Sequence, residues 1–129
     1  MTKTDQNTHH YEVPLEDWYR VRQQAYDMIE YAAHKQQMIS YTELVAELDH
    51  ITDPHSRALA LILGQIQEQC HNEDKGLLPA IVVFKNDPTN VGLGFFRMAK
   101  ELGYQFSDTP HGRDVFWLDQ VRQVFADHR

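Results

Sequence analysis

Hydrophobic residues recur at three- and four-residue spacing in two long segments of the chain. The first segment follows Pro14 and predicts a helix from about Leu15 to Lys35. Its apolar stripe contains Trp18, Val21, Ala25, Met28, Ile29 and Ala32. The second segment predicts a central helix from about His55 to Cys70. Its stripe contains Leu59, Ile62, Leu63, Ile66 and Cys70, widened by Ala58 and Leu61.

A short third helix is predicted between these two. Ser40 followed by Glu43 matches a capping box, in which each side chain satisfies a free backbone N–H at the start of a helix. We therefore expect a helix from Tyr41 to about Leu48. Asp53 and Pro54 suit the N-cap and the first position of the next helix. Two consecutive helices should thus meet at a corner.

Strand signals occur on either side of this helix pair. Leu77–Phe84 is a continuous apolar run with several β-branched residues, which predicts a strand buried on both faces. Residues 38–40 supply a shorter strand stub. Residues 86–92 are rich in turn formers, and we expect them to form a wing or a ligand-contacting loop.

Two more helices are predicted in the last third of the chain. A short helix around Phe95–Leu102 should stop at Gly103, because glycine suits the residue after a helix C-terminus. We expect a loop at residues 104–112, with a short strand at residues 104–106, and a final helix from about Asp114. The apolar positions of this last helix are Trp117, Leu118, Val121, Val124 and Phe125.

The composition fits one globular domain. The chain has 129 residues, of which 42% are hydrophobic and 24% charged, and we assign a single domain to residues 14–129 after a polar, mobile tail at residues 1–13. No apolar run is long enough to span a bilayer, so no membrane partner is expected. Cys70 is the only cysteine, which excludes an intramolecular disulfide and is consistent with a cytoplasmic protein.

The net charge limits the classes of partner that the chain is expected to bind. A formal charge of -7 counts against a general nucleic-acid binder, whose affinity comes mostly from Lys and Arg side chains on phosphates. A local basic face on an acidic body is still compatible with this charge. The distribution of the cations in space is therefore more informative than their number.

Three stretches between Tyr26 and Gly94 carry a family resemblance. They read Ser40-Tyr41-Thr42-Glu43-Leu44-Val45, His55-Ser56-Arg57-Ala58-Leu59-Ala60 and Leu78-Pro79-Ala80-Ile81-Val82-Val83. The pattern resembles the winged-helix domain of the O6-alkylguanine DNA alkyltransferases and the alkyltransferase-like proteins, and it covers about half of the chain. The resemblance implies a mainly α (α+β) fold, with a winged helix-turn-helix core, a short buried strand and a C-terminal helix.

The same resemblance implies roles for individual residues. Tyr41 stands where the family's tyrosine presses on the DNA backbone, and Arg57 where its arginine replaces an extruded base. Ala80 takes the position of the reactive cysteine, or of the tryptophan in some alkyltransferase-like proteins, and Ile81 that of the activating histidine. A reactive thiolate needs a base or a positive neighbour, so alkyl transfer at this site is excluded. The scaffold is implied, but the reaction is not.

A second pattern lies in the same region. Residues 78–85, followed by a loop and Gly92-Leu93-Gly94-Phe95-Phe96, are also similar to small uncharacterised bacterial and phage proteins. This similarity implies no particular function.

Three chemical interpretations have weaker support. Lys85 at a strand end is one part of a nuclease motif, but Val83 stands where the motif needs an acid to hold a metal ion. The candidate zinc ligands are Cys70, His71, His50, His55 and His111. They lack the paired spacing of structural zinc sites. A nucleophilic Cys70 has only the adjacent His71, which a helix turns away from it. We expect no catalytic residue, no metal and no cofactor.

The leading hypothesis is a non-enzymatic module that binds nucleic acid, most simply duplex DNA. Tyr41, Thr42 and Arg57 would contact the DNA, with Lys85 or the 86–92 loop acting as a wing. The alternative is a protein–protein interaction module of a bacterial or phage assembly, or a homodimer. That alternative is favoured by the aromatic-rich second half of the chain. An enzyme with an unidentified site ranks third.

Overall fold

The structure is a computed structural model that describes residues 12–129. Its helices are α1 (Trp18–His34), α2 (Tyr41–Glu47), α3 (Arg57–Asn72), α4 (Leu93–Glu101) and α5 (Pro110–Asp127). Its strands are β1 (Ile39–Ser40) and β2 (Val82–Val83), and short 3-10 turns form at Leu15–Asp17 and Leu78–Ile81. The mainly helical architecture expected from the sequence is confirmed.

One hydrophobic cluster fills the interior, with α3 at its centre. The buried face of α3 consists of Ala58, Leu59, Ile62, Leu63, Ile66, Gln67 and Cys70. Helices α1 and α4 pack against α3, while α5 packs against the turn at Leu78–Ile81. The Gln67 amide is buried inside this cluster and donates a hydrogen bond to the Phe95 carbonyl at 2.9 Å, which fixes α4 on α3.

Local hydrogen bonds form the corner between α2 and α3, and only some of them were predicted from the sequence. The Ser40 hydroxyl accepts the Glu43 N–H at 3.0 Å, and the Glu43 carboxylate accepts the Ser40 N–H at 3.1 Å, so the capping box is confirmed. The expected start of α3 at Asp53 is wrong. Asp53 accepts the His55 N–H within a turn, whereas the hydroxyl of Ser56 accepts the Leu59 N–H and caps the helix.

The long strand expected at Leu77–Phe84 is shorter than predicted. Pro79 has no N–H to give to a neighbouring strand, and the residues around it form the 3-10 turn instead. Only Val82 and Val83 pair, in parallel, with Ile39 and Ser40 of β1. The expected burial is confirmed, because residues 77–83 are all buried.

The last third of the chain also departs from expectation in part. Helix α4 stops as predicted at Gly103, whose φ of +99° is in the left-handed region that favours glycine. Helix α5 begins at Pro110, earlier than predicted, because Thr109 caps it by accepting the Gly112 N–H. Residues 104–106 form no strand, and the Phe106 ring stacks on Phe116 with centroids 4.4 Å apart.

Two leucines that were expected in the core lie on the surface instead. Leu61 is 43% exposed and Leu118 is 42% exposed. Each lies on a helix whose buried face is formed by other side chains. Leu61 lies beside the space between α3 and α4.

The tail expected at residues 1–13 falls mostly on residues 1–11, which lie outside the described residues. Val13 is buried in the core, and the Ser56 hydroxyl donates to the Glu12 carboxylate at 2.9 Å. The domain therefore includes the last two residues assigned to the tail. Within residues 12–129, none of the helices combines the length and the apolar character needed to cross a membrane.

Candidate binding groove

An apolar groove of about 470 Å³ lies between α3 and α4. Its walls are formed by Leu59, Leu61 and Leu63 of α3 and by Leu93, Phe95 and Met98 of α4. Gly64 of α3 also lines the groove, and an added Cβ there would stand 3.0 Å from the Met98 Cε atom of α4.

Three aromatic rings close one end of the groove. The Tyr41 and Phe84 ring centroids are 4.7 Å apart, and the His55 ring stacks on Phe84 at 5.7 Å. The Tyr41 hydroxyl donates to the Val91 carbonyl at 2.8 Å. Burial raises the pKa of Tyr41 to about 12, so the phenol is neutral at physiological pH. Tyr41 thus holds the 86–92 loop against the start of α2.

The basic side chains near the groove differ from most others among the described residues, because they have no ion-pair, hydrogen-bond or ring partner. Most Lys and Arg side chains of residues 12–129 make an ion pair, a hydrogen bond or a ring contact. The exceptions within that range are Arg57, Lys85, Arg97 and Arg129. Arg97 lines the groove, while Arg57 and Lys85 directly follow the lining residues Ser56 and Phe84. Among the described residues, Arg97 is therefore the unpaired cation that lines the groove, whereas Arg57 and Lys85, like the acidic Asp53, stand next to lining residues in the chain.

The acidic side chains are placed differently. Within residues 12–129, Glu101 is the only carboxylate that lines the groove, and it lies one helical turn beyond Arg97 on α4. Glu43 is exposed at the start of α2, but its carboxylate is held in the capping box. The groove is therefore apolar with a mixed but locally cationic border, although the chain as a whole is acidic.

The four residues expected to contact nucleic acid lie near one another. Tyr41 lines the groove, and Thr42 is exposed beside it on the first turn of α2. Arg57 is the exposed first residue of α3, and Lys85 is exposed just after Phe84. The ring contacts among Tyr41, Phe84 and His55 bring these segments to the same end of the groove. Their contact with DNA stays a prediction.

The α4 wall is the part of the site that the sequence analysis missed. Arg97 and Met98 fell within the short helix predicted around Phe95–Leu102, and Leu93 was named only in the Gly92–Phe96 pattern before it. One signal was present, because Leu93 stands between Gly92 and Gly94, where no apolar stripe demands a large side chain. Leu93 is 68% exposed, which is unusual for a leucine next to so apolar a surface.

The groove offers little for covalent catalysis. The Ser56 hydroxyl is occupied as the α3 N-cap and as a donor to Glu12. Cys70 is buried away from the groove on α3, and burial raises the pKa of its thiol. The Ser56 hydroxyl donates to Glu12 rather than to the ring of its chain neighbour His55, which also lines the groove. The arrangement suits binding by contact and charge.

No protein-family model matches this chain, and no curated protein or solved structure matches it either. The groove and its border are therefore the main guide to function.

Proposed function

We propose that the protein is a non-enzymatic interaction module whose α3–α4 groove receives a short apolar segment of a partner protein, flanked by acidic residues. The observation that carries the proposal is that two exposed leucines, Leu61 and Leu93, line the groove together with the unpaired Arg97, while unpaired Arg57 and Lys85 stand next to lining residues in the chain. Apolar surface that a domain leaves uncovered, rimmed by polar groups, is typical of a protein interaction site. We place the module in the cytoplasm, because its one cysteine is a free thiol.

The size and shape of the groove suit a helical or extended peptide. Its volume of about 470 Å³ is within the range of about 300–1,000 Å³ that ligand sites occupy. An amphipathic helix would insert side chains at positions i, i+3 or i+4, and i+7 between the two walls. Burying one leucine that is now exposed contributes about 1.5–3 kcal/mol, so a few such contacts suffice for a specific complex.

The cations determine which segment is preferred. Arg57, Lys85 and Arg97 have no acidic partner among the described residues, so an incoming carboxylate displaces no existing ion pair. Charges at the rim act mainly on the association rate and on the choice of partner. An acidic segment should therefore be chosen over a basic one of equal hydrophobicity.

Fluorescence anisotropy with two labelled peptides tests the proposal. Both peptides have about 16 residues, helix-forming sequences and leucines on one face, and they differ only in carrying Glu or Lys beside the leucines. We expect the Glu peptide to bind more tightly, and Leu61→Ser to weaken its binding. Leu118→Ser is the matched control, because Leu118 is equally exposed but lies on α5.

Two results would contradict the proposal. One is equal binding of the Glu and Lys peptides, which would mean that the cations select nothing. The other is an equal effect of Leu61→Ser and Leu118→Ser, which would mean that the peptide adheres to any exposed leucine. Light scattering after size-exclusion chromatography shows whether the free protein is a homodimer, in which a second copy would fill the groove.

A second candidate function is the binding of duplex DNA by a winged helix-turn-helix core. The specific observation in its favour is that Arg57 is exposed and unpaired on the first turn of α3, directly after the α2–α3 corner. Tyr41 and Thr42 begin α2 beside it, and Lys85 precedes the 86–92 loop in the place of a wing. Recognition helices contact bases with their N-terminal residues, and phosphates are contacted by flanking cations.

Binding of a labelled duplex of about 20 base pairs at about 50 mM salt tests this second candidate. We expect Arg57→Ala to weaken binding and Arg129→Ala, the unpaired arginine away from the groove, to leave it unchanged. No binding at this salt concentration would exclude the candidate. We rank it below the peptide site because the exposed face of α3 after Arg57 presents Ala60 and Leu61 rather than groups that hydrogen-bond to bases.

A further inference from the structure

We infer that Glu30, His34 and His128 form a binding site for a divalent transition-metal ion, away from the α3–α4 groove. Each of the three residues offers one ligand atom, and these atoms lie within 4.8 Å of one another. The site joins α1 to the residue that follows α5. It is independent of the function proposed for the groove.

The fold brings these residues together from distant parts of the chain. Glu30 and His34 are four residues apart on α1, so they project from the same face of the helix. His128 is 94 residues further along and arrives through the packing of α5 on α1. The Gln36 amide helps to fix this junction by donating to the Phe125 carbonyl at 2.9 Å.

Both histidine rings are held by backbone carbonyls through their Nδ1 atoms. Nδ1 of His128 lies 2.7 Å from the Val124 carbonyl, and Nδ1 of His34 lies 3.1 Å from the carbonyl of His128. A carbonyl oxygen can only accept, so each Nδ1 carries the hydrogen. In the neutral ring the Nε2 atom then keeps a lone pair. Metal-binding histidines are commonly oriented in this way by the hydrogen bond of their second nitrogen.

The contact between His128 and Glu30 gives a second reason to expect a cation. The Nε2 atom of His128 stands 3.7 Å from a carboxylate oxygen of Glu30, which is too long for a hydrogen bond. With a neutral ring, two electron-pair donors face each other across this gap. A metal ion placed between them would be bound by both.

The ligand types indicate which metal ions fit. Two imidazole nitrogens and one carboxylate suit Zn²⁺ and its neighbours in the first transition row, whereas Ca²⁺ and Mg²⁺ prefer oxygen ligands throughout. Ligand atoms around tetrahedral zinc are about 3.3 Å apart, so the more distant ligand atoms of the cluster must move closer together on binding. His34 is exposed and Glu30 is half-buried, so both side chains have room to move. A water molecule would complete the coordination.

Isothermal titration with Zn²⁺ tests the site, using tag-free protein first stripped with EDTA and dialysed. We expect one zinc ion per chain, and a loss of affinity of about 100-fold or more in both His34→Ala and Glu30→Gln, since even changes to residues that only hydrogen-bond to metal ligands cost about 10- to 100-fold. His111→Ala is the matched control, because His111 is an exposed histidine on α5 outside the cluster. The double variant His9→Ala/His10→Ala should retain the site.

A second measurement keeps the test independent of folding defects. Zinc binding to the folded state should raise Tm of the wild-type protein by about 5 °C or more at saturating metal, and should not raise Tm of His34→Ala. Equal zinc affinity in His34→Ala and His111→Ala would overturn the inference. So would loss of zinc binding in the double variant of His9 and His10.

Discussion

Tyr41 shows how one side chain serves both the fold and the groove. Its ring lies against Phe84 at the end of the groove, and its hydroxyl bonds to the carbonyl of Val91. The family resemblance implies a contact between this tyrosine and a DNA backbone. The hydroxyl already has an internal partner, so a ligand would meet the ring of Tyr41 before it met the oxygen.

Tyr41→Phe should destabilise the protein by about 1–3 kcal/mol. The change removes one hydrogen bond and leaves the carbonyl of buried Val91 without that donor. Urea denaturation followed by circular dichroism measures the free energy of unfolding. Tyr31→Phe is the control, because Tyr31 is 65% exposed and its loss of a hydroxyl should have little effect. Equal effects of the two substitutions would show that the bond to Val91 contributes nothing.

Of the three tyrosines with raised pKa values, Tyr26 and Tyr41 predict a marked loss of stability in alkaline solution. Burial is the largest cause for both Tyr26 and Tyr41, and it raises each pKa to about 12. The unfolded value is about 10, so this contribution is fully present below about pH 10 and is lost as the pH rises through about 12. Urea midpoints at about pH 9 and about pH 11 measure the decline. The decline should be shallower in Tyr41→Phe than in Tyr19→Phe, since Tyr19 is exposed.

Among the helices, the spacing of α3 and α4 defines the groove. Gly64 lies at this contact, and the atom nearest to the position that a Cβ would take there is the terminal methyl of Met98. Gly76 has a different environment, because an added Cβ would stand 2.7 Å from the backbone nitrogen of Val124 on α5. The two glycines are therefore expected to respond in opposite ways to the same substitution.

Gly64→Ala should leave the protein equally stable or up to about 1 kcal/mol more stable, because alanine favours the helix and the Met98 side chain can turn aside. Gly76→Ala should destabilise by about 1–3 kcal/mol, because α5 must shift to make room. Thermal unfolding of the two variants provides the comparison. A marked loss of stability in Gly64→Ala would mean that Met98 is held more rigidly than its contacts indicate.

Elements whose causes are local could be predicted from the sequence. The capping box at Ser40 and Glu43 and the helix stop at Gly103 each depend on residues a few positions apart, and both are present. The strand at Leu77–Phe84 was overestimated, because apolar character signals burial but not hydrogen bonding. The length of the strand is limited by the missing N–H of Pro79 and by the partner strand β1, which has only two residues.

The candidate sites were harder to foresee, since each joins distant segments. Tyr41 and Arg57 were predicted as nucleic-acid contacts, a role that stays a prediction, and the wall formed by α4 depends on a packing angle that no sequence pattern gives. The spacing of Glu30 and His34 is visible in the sequence. Their partner His128 is 94 residues beyond His34, so only the fold reveals the cluster.

For the whole molecule, the charge pattern matters more than the net charge. The chain carries a formal charge of -7, yet among the described residues one unpaired cation lines the groove and two others stand next to lining residues in the chain. Arg20 and Asp49 form a close ion pair at the opposite end of α2 from Tyr41, so this cation is neutralised locally. An acidic protein with unpaired cations beside one groove repels acidic partners at a distance and binds them at that groove. This arrangement favours selectivity over strong binding.

The single hydrophobic cluster predicts that residues 12–129 unfold as one unit. The two tryptophans report on separate regions: the Trp18 indole donates to Gln65 between α1 and α3, and the Trp117 indole donates to the Ala80 carbonyl beneath α5. Because both regions share the same core, urea transitions followed by fluorescence of Trp18→Phe and Trp117→Phe should each coincide with circular dichroism of the same variant. Each variant serves as its own reference, so a difference in stability between them does not affect the comparison. If Trp117 fluorescence changed at lower urea than the circular dichroism, α4 and α5 would form a separate unit, and the wall of the groove would move independently of α3.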